Sequence, residues 1–247
     1  HASQLDVLTD ALYVSTVPRV KADSIRFDKA IGTPDGFATL NLSTNLLIDS
    51  SSGRVTVGSQ GVGFAQVLSP ISVSGTVTVQ ASSVSISGNV YSGGNTPEVS
   101  ISADAIDVTA SVKALGGDIY LNANTSGLGL NIGSSTTSAL LSIDGTELGN
   151  FFAVNLWVGD DDTSEIFIGG DVTVSSSKIT NLILRAAGNV TSLGGAKLTA
   201  QNLAIQAGGL IDLGGPNVVS GQVALSSTVG VSYSSAVSYS PAAVAGF

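Results

Sequence analysis

Cysteine and methionine are absent from this chain of 247 residues, and histidine occurs once, as His1. The missing cysteine removes disulfides and thiolate metal sites. With a single terminal histidine, the Ser/His/Asp and Cys/His nucleophile systems are removed as well. Charged residues make up 11% and aromatics 5%, whereas an average domain carries roughly 25% charged residues. The surface must therefore be covered largely by Ser, Thr, Asn, Gln and Gly, which suits an extracellular protein or one packed against copies of itself. Eighteen acidic residues stand against nine basic ones, a net charge of −9 spread along the chain. Attraction to nucleic acid or to anionic lipid is not expected from that balance. No apolar run reaches the ~18 residues of a transmembrane helix, so membrane insertion is not expected either. A chain that starts at His1 is expected of a processed, exported polypeptide or of a fragment, and the expected location is secreted or cell-surface.

What the sequence does contain is 30 glycines, 43% apolar residues and a weak internal repeat of about 21 residues. TVTVQASSVSISGNVYSGGNTP (76–97), EVSISADAIDVTASVKALGGD (98–118) and IYLNANTSGLGLNIGSSTTSA (119–139) follow one another. LILRAAGNVTSLGGAKLTAQN (182–202) and LAIQAGGLIDLGGPNVVSGQ (203–222) resume the pattern. Within each unit apolar residues alternate, as in Val77/Val79, Val84/Ile86, Val99/Ile101 and Ile106/Val108. Period two with β-branched enrichment marks half-buried strands. Gly-Gly corners at 93–94, 116–117, 194–195, 208–209 and 214–215 separate them, because tight corners need the positive φ that β-branched residues resist. Val79, Ile101, Leu121 and Ile143 lie 20 to 22 residues apart, and Ile86, Val108 and Leu130 are 22 apart. Such phase coherence predicts an all-β fold of stacked rungs, a single-stranded parallel β-helix, with equivalent residues piled at the interstrand spacing of about 4.8 Å. A β-sandwich is the alternative for short strands with frequent turns.

Three regions are expected. Residues 1–36 hold four of the nine basic residues, Arg19, Lys21, Arg26 and Lys29, repeat poorly and read as an N-terminal cap or arm. Residues 37–229 read as the solenoid, with an aromatic and acidic insertion at about 144–171 that packs as a longer corner on the core. Residues 230–247 read as an apolar C-terminal tail in contact with another copy, since no charged side chain occurs from 213 to 247 and an open solenoid end needs a cover.

No catalytic constellation emerges, so the protein is not expected to be an enzyme. A carbohydrate-active site would need paired carboxylates on one face, but Asp104, Asp107, Asp118, Asp144 and Asp212 are scattered over strands and corners. No cofactor is expected. The one candidate for a structural Ca²⁺ is the oxygen-rich stretch Asp160, Asp161, Asp162 and Glu165, which meets neither the EF-hand spacing nor the glycine-rich nonapeptide of calcium-binding β-rolls. Candidate interaction residues are the aromatics Phe151, Phe152 and Trp157, together with Tyr233, Tyr239 and Phe247 near the end.

The segments at 182–215 and 99–123, with their cadence of strand, small-residue corner, short strand and Gly-Gly, resemble repeats of filamentous-haemagglutinin-like bacterial adhesins. That resemblance implies a right-handed parallel β-helix, export across a bacterial envelope, and adhesion or surface filaments. Two functions are expected on these grounds. The first is a secreted structural protein that forms or decorates a fibre with copies of itself as partners. The second is a carbohydrate- or host-binding adhesin module, for which Phe151, Phe152 and Trp157 would form an exposed platform for surface glycans.

Overall fold

The computed structural model describes residues 76–80, 82–134 and 140–246 in full, and ahead of them the backbone of nine short strands between Leu5 and Val73. The chain is a parallel β-solenoid of about seven turns, nearly all β. Each turn visits three faces. The first face is formed by Thr76–Gln80, Glu98–Ser102, residues 118–122, residues 155–158, Ile179–Ala186, Asn202–Ala207, Gln222–Ser227 and Ser240–Pro241. All of these pair in parallel, each with the next. The second face runs through Ser83–Ile86 and Ala105–Val108, then through Ile166–Ile168, Val190–Ser192, residues 210–213 and residues 230–233. The third contains Val90–Ser92, residues 112–114 and residues 151–153, and later Val172–Thr173 and Leu198–Ala200. The sandwich alternative is thereby excluded. Among the described residues, antiparallel pairing is confined to backbone strands between Ile25 and Val67.

The alternation seen in the sequence becomes an inside and an outside. In Thr76–Gln80 and Glu98–Ser102 every second residue is buried. Register then turns these residues into columns. Val79, Ile101, Leu121, Val158, Leu184, Ile205 and Leu225 pile directly on one another. A second column runs Val77, Val99, Ile119, Leu156, Leu182, Leu203 and Val223 along the same interior. The first six members of each are at most 1% exposed. A side chain buried to that extent stabilises by about 1.5–3 kcal/mol, so the interior columns carry the fold.

Two expectations about the columns are corrected. Ile143 does not follow Leu121, because Val158 occupies that place. Leu130 does not lie on Val108: the strand Leu141–Ile143 pairs beside Leu130–Ile132 and packs against Ala105–Val108. The second face thus gains one strand that the other faces lack. The additional strand lies before residue 151, and Phe151–Val158 is a strand of the third and first faces whose register shifts between Ala153 and Asn155. The additional strand leads into the single helical turn Gly145–Leu148, whose capping box joins Asp144 to Glu147. Glu147 also accepts a hydrogen bond from the Val108 N–H at 3.1 Å, tying the turn to the strand beneath. Burial raises its carboxyl pKa, while the N–H donors of Asp144 and Val108 pull the other way.

At the corner entering the first face, side chains stack as well. Asn155 donates to Asp118 at 2.7 Å, Asn181 to Asn155 at 2.6 Å and Asn202 to Asn181 at 2.9 Å. The Gln222 N–H then donates to the Asn202 side-chain oxygen at 2.9 Å. Glycine is needed where corners crowd: a Cβ on Gly117 would lie 1.9 Å from the Pro97 carbonyl oxygen. Towards the C-terminus, Gly230–Ser235 pairs with residues 210–217 and Ser240–Pro241 with Gln222 and Val223. The segment read as a tail from residue 230 therefore begins as a rung of the solenoid.

Candidate functional site

The three aromatic residues expected to form one platform are not on one surface. Phe151 points inward and is fully buried in the core. Phe152, the next residue, faces outward on the third face with the Lys113 and Lys178 ammonium groups 4.8 and 4.9 Å from its ring centre. Trp157 faces outward on the first face, stacked on Tyr120 at 5.8 Å with 19° between the ring planes. Alternation across a strand parts Phe151 from Phe152; Trp157, an even number of residues from Phe151, faces outward because the register shifts between Ala153 and Asn155, where the strand passes from the third face to the first.

The acidic loop after Val158 is held by its own hydrogen bonds. Asp160 Oδ1 accepts from the Asp162 N–H, the Thr163 N–H and the Thr163 hydroxyl. Asp161 pairs with Arg185 at 2.8 Å, and Glu165 lies back towards Gly129. Asp160, Asp161 and Glu165 are thus turned in different directions, and among the described residues no group of three or more His, Asp or Glu side chains is placed to hold a metal ion. Asp160 and Asp162 do line a polar cleft of about 230 Å³ with Gln80, Ser102, Asn124 and Thr125. No aromatic ring is part of its wall.

A surface that the sequence reading missed lies outside the first face. Register places Thr78, Ser100, Tyr120, Trp157, Ile183, Ala204 and Ala224 in one outward column. The column is polar at Thr78 and Ser100 and apolar from Tyr120 onward. Ile183 and Ala204 are nevertheless fully buried, because Val244 of the C-terminal segment lies against them, with Trp157 and Ala224 at the edges. The signal was present in the sequence: Leu182-Ile183-Leu184 and Leu203-Ala204-Ile205 lack the polar residue that an outward position normally takes, the mark of a strand covered on both sides. Val244 is the single buried anchor of residues 242–246. Burying it contributes about 1.5–3 kcal/mol, while Ala245, at φ 51°, costs about 1–2 kcal/mol in the left-handed region. The latch is weak.

Beside this column the Tyr120 hydroxyl donates to Asp118 at 3.1 Å. Burial, then the negative charge of Asp118 and this hydrogen bond, push the phenol pKa from 10 up to about 12. The folded chain holds the proton more tightly than the unfolded one. Its contribution to stability is therefore complete below pH 10 and is lost as pH rises towards about 12. A phenolate absorbance titration should show one tyrosine ionising near pH 12 that disappears in Tyr120→Phe; loss of a transition near pH 10 instead would mean that the contact with Asp118 is not made.

The last described rung exposes apolar side chains. Val231 stacks in register on the buried Ile211, yet it is 49% exposed, and Val229 beside it is 72% exposed. Tyr233 and Tyr239 meet edge to face at 5.3 Å and cover part of that rung, while Tyr239 itself remains exposed. Phe247 lies outside the described residues. No protein-family model matches the chain, and no significant match is found among curated proteins or among solved structures.

Proposed function

We propose that this protein is a secreted, non-enzymatic structural component that forms or decorates an extracellular fibre on a bacterial surface by joining copies of itself. One observation carries the reading: the last described rung exposes positions that stack on the core, Val231 above all. Gly230–Ser235 and Ser240–Pro241 form the outer edge of that rung, with no further strand beyond them among the described residues. Monomeric solenoids close such ends with polar caps, and exposed edges are normally guarded by charge. Here residues 213–247 contain no charged side chain, and Pro241 is the sole residue of the edge unable to donate to a further strand. A parallel solenoid is compatible with β-helix repeat proteins. The adhesin-like cadence of residues 99–123 and 182–215 supports export and a surface location.

Sedimentation velocity over a concentration series tests the reading. The wild-type chain should shift to larger species as concentration rises, while Val229→Lys with Val231→Lys should remain monomeric with an unchanged circular dichroism spectrum. A wild-type monomer at every concentration would overturn self-association. Undiminished association of the lysine variant would move the contact away from this end.

A further inference from the structure

We propose that residues 240–246 are exchanged between two copies, each seating its Val244 on the outer first face of the other, so that two chains join end to end. This rests on the self-association reading and names its first link.

The seat exists independently of the chain that fills it. Trp157, Ile183, Ala204 and Ala224 present an apolar groove on the outside of a sheet whose earlier outward positions are Thr78 and Ser100. After Ala242 the chain does not begin another second-face strand. It turns back across strands that precede it to seat Val244, and positive φ follows at Ala245 and Gly246. The attachment is slight: Ser240 donates to Gly221 and Ala242 to Val223, both at 3.2 Å, and beyond them only Val244 is buried. Residues 236–239, which lead to it, are all exposed, so they can redirect the segment without breaking core contacts. Exchange recreates the same contacts between chains, a low-cost route to a dimer.

Geometry also decides the symmetry. The root of the segment and its seat both lie at the C-terminal end of the solenoid, so a chain whose tail reaches a partner offers its own seat to the partner's tail. The exchange is reciprocal and closes on itself as an isologous pair, with no open-ended growth. It brings together the two ends that expose Val229, Val231 and Val237. A fibre then grows by joining such pairs through a separate contact.

The absence of cysteine makes the test clean. Full-length Ala204→Cys and Val244→Cys chains are mixed in equal amounts, oxidised, and run on a non-reducing gel; a chain carrying both substitutions is oxidised in parallel. Exchange predicts a heterodimer band in the mixture, well above either variant alone, and interchain disulfides in the double variant at concentrations where the protein sediments as a dimer. In an associated sample, intrachain 204–244 disulfides with no heterodimer would overturn the exchange and leave self-association standing. A sample monomeric at every concentration would overturn both.

Discussion

Phe151→Ala should lower the stability of the chain by about 3–5 kcal/mol, the usual cost of emptying a fully buried phenylalanine site. Phe151 has no exposed surface and ranks first by size among the fully buried side chains of the described residues. It sits in register on Val112, in the turn that carries the additional strand Leu141–Ile143. Small neighbours such as Ala114 and Ala153 leave little side-chain volume with which to close the space. Phe152→Ala is the informative contrast. It removes contact with two ammonium groups, each worth about 0.5–1 kcal/mol at an exposed site, and opens no cavity, so the cost should be about 1 kcal/mol. Urea denaturation of both variants, with the slope checked for constancy, separates them. A Phe151→Ala variant as stable as wild type but defective in association would show that the ring faces outward and that the register of Phe151–Val158 is wrong.

This contrast also shows what the sequence could and could not reveal. The columns were legible where the spacing between equivalent residues stays near 21, as in Val79, Ile101 and Leu121. They failed at Ile143, which keeps the spacing but not the column. A triplet such as Leu-Ser-Ile is locally identical to any other rung, and local pattern does not say which neighbour it will join. The helical turn had a readable signature, Asp144 followed three residues later by Glu147, the acidic counterpart of a capping box, but it is too short to disturb a period-two pattern. The split of Phe151 from Phe152 follows from alternation alone, whereas Trp157, at an even distance from Phe151, faces outward only because the strand shifts register between Ala153 and Asn155, which no local pattern announces. The seat of Val244 was harder. Its groove is written in the uninterrupted apolar triplets at 182–184 and 203–205, whereas its occupant lies about 40 residues or more downstream in a segment without periodicity.

The other large effect is expected at the amide stack. Asn181 stands in the middle, donating to Asn155 and accepting from Asn202. Asn181→Leu removes both functions at once and leaves the Asn155 oxygen and the Asn202 amide hydrogens unmatched. A buried unsatisfied group costs about 1–3 kcal/mol. These side chains are only partly buried, so water recovers some of that, and a total loss of about 2–3 kcal/mol is expected. Asn181→Asp keeps the acceptor for Asn202 but cannot donate to Asn155, and should cost roughly half as much. Each amide orients the next, so the losses should not add. In a double-mutant cycle Asn155→Ala with Asn181→Ala should destabilise less than the sum of the single changes, by at least ~0.5 kcal/mol. Additivity within error, or an Asn181→Leu cost below ~0.5 kcal/mol, would mean that water substitutes freely for each amide and that the apolar columns alone fix the stacking of the rungs.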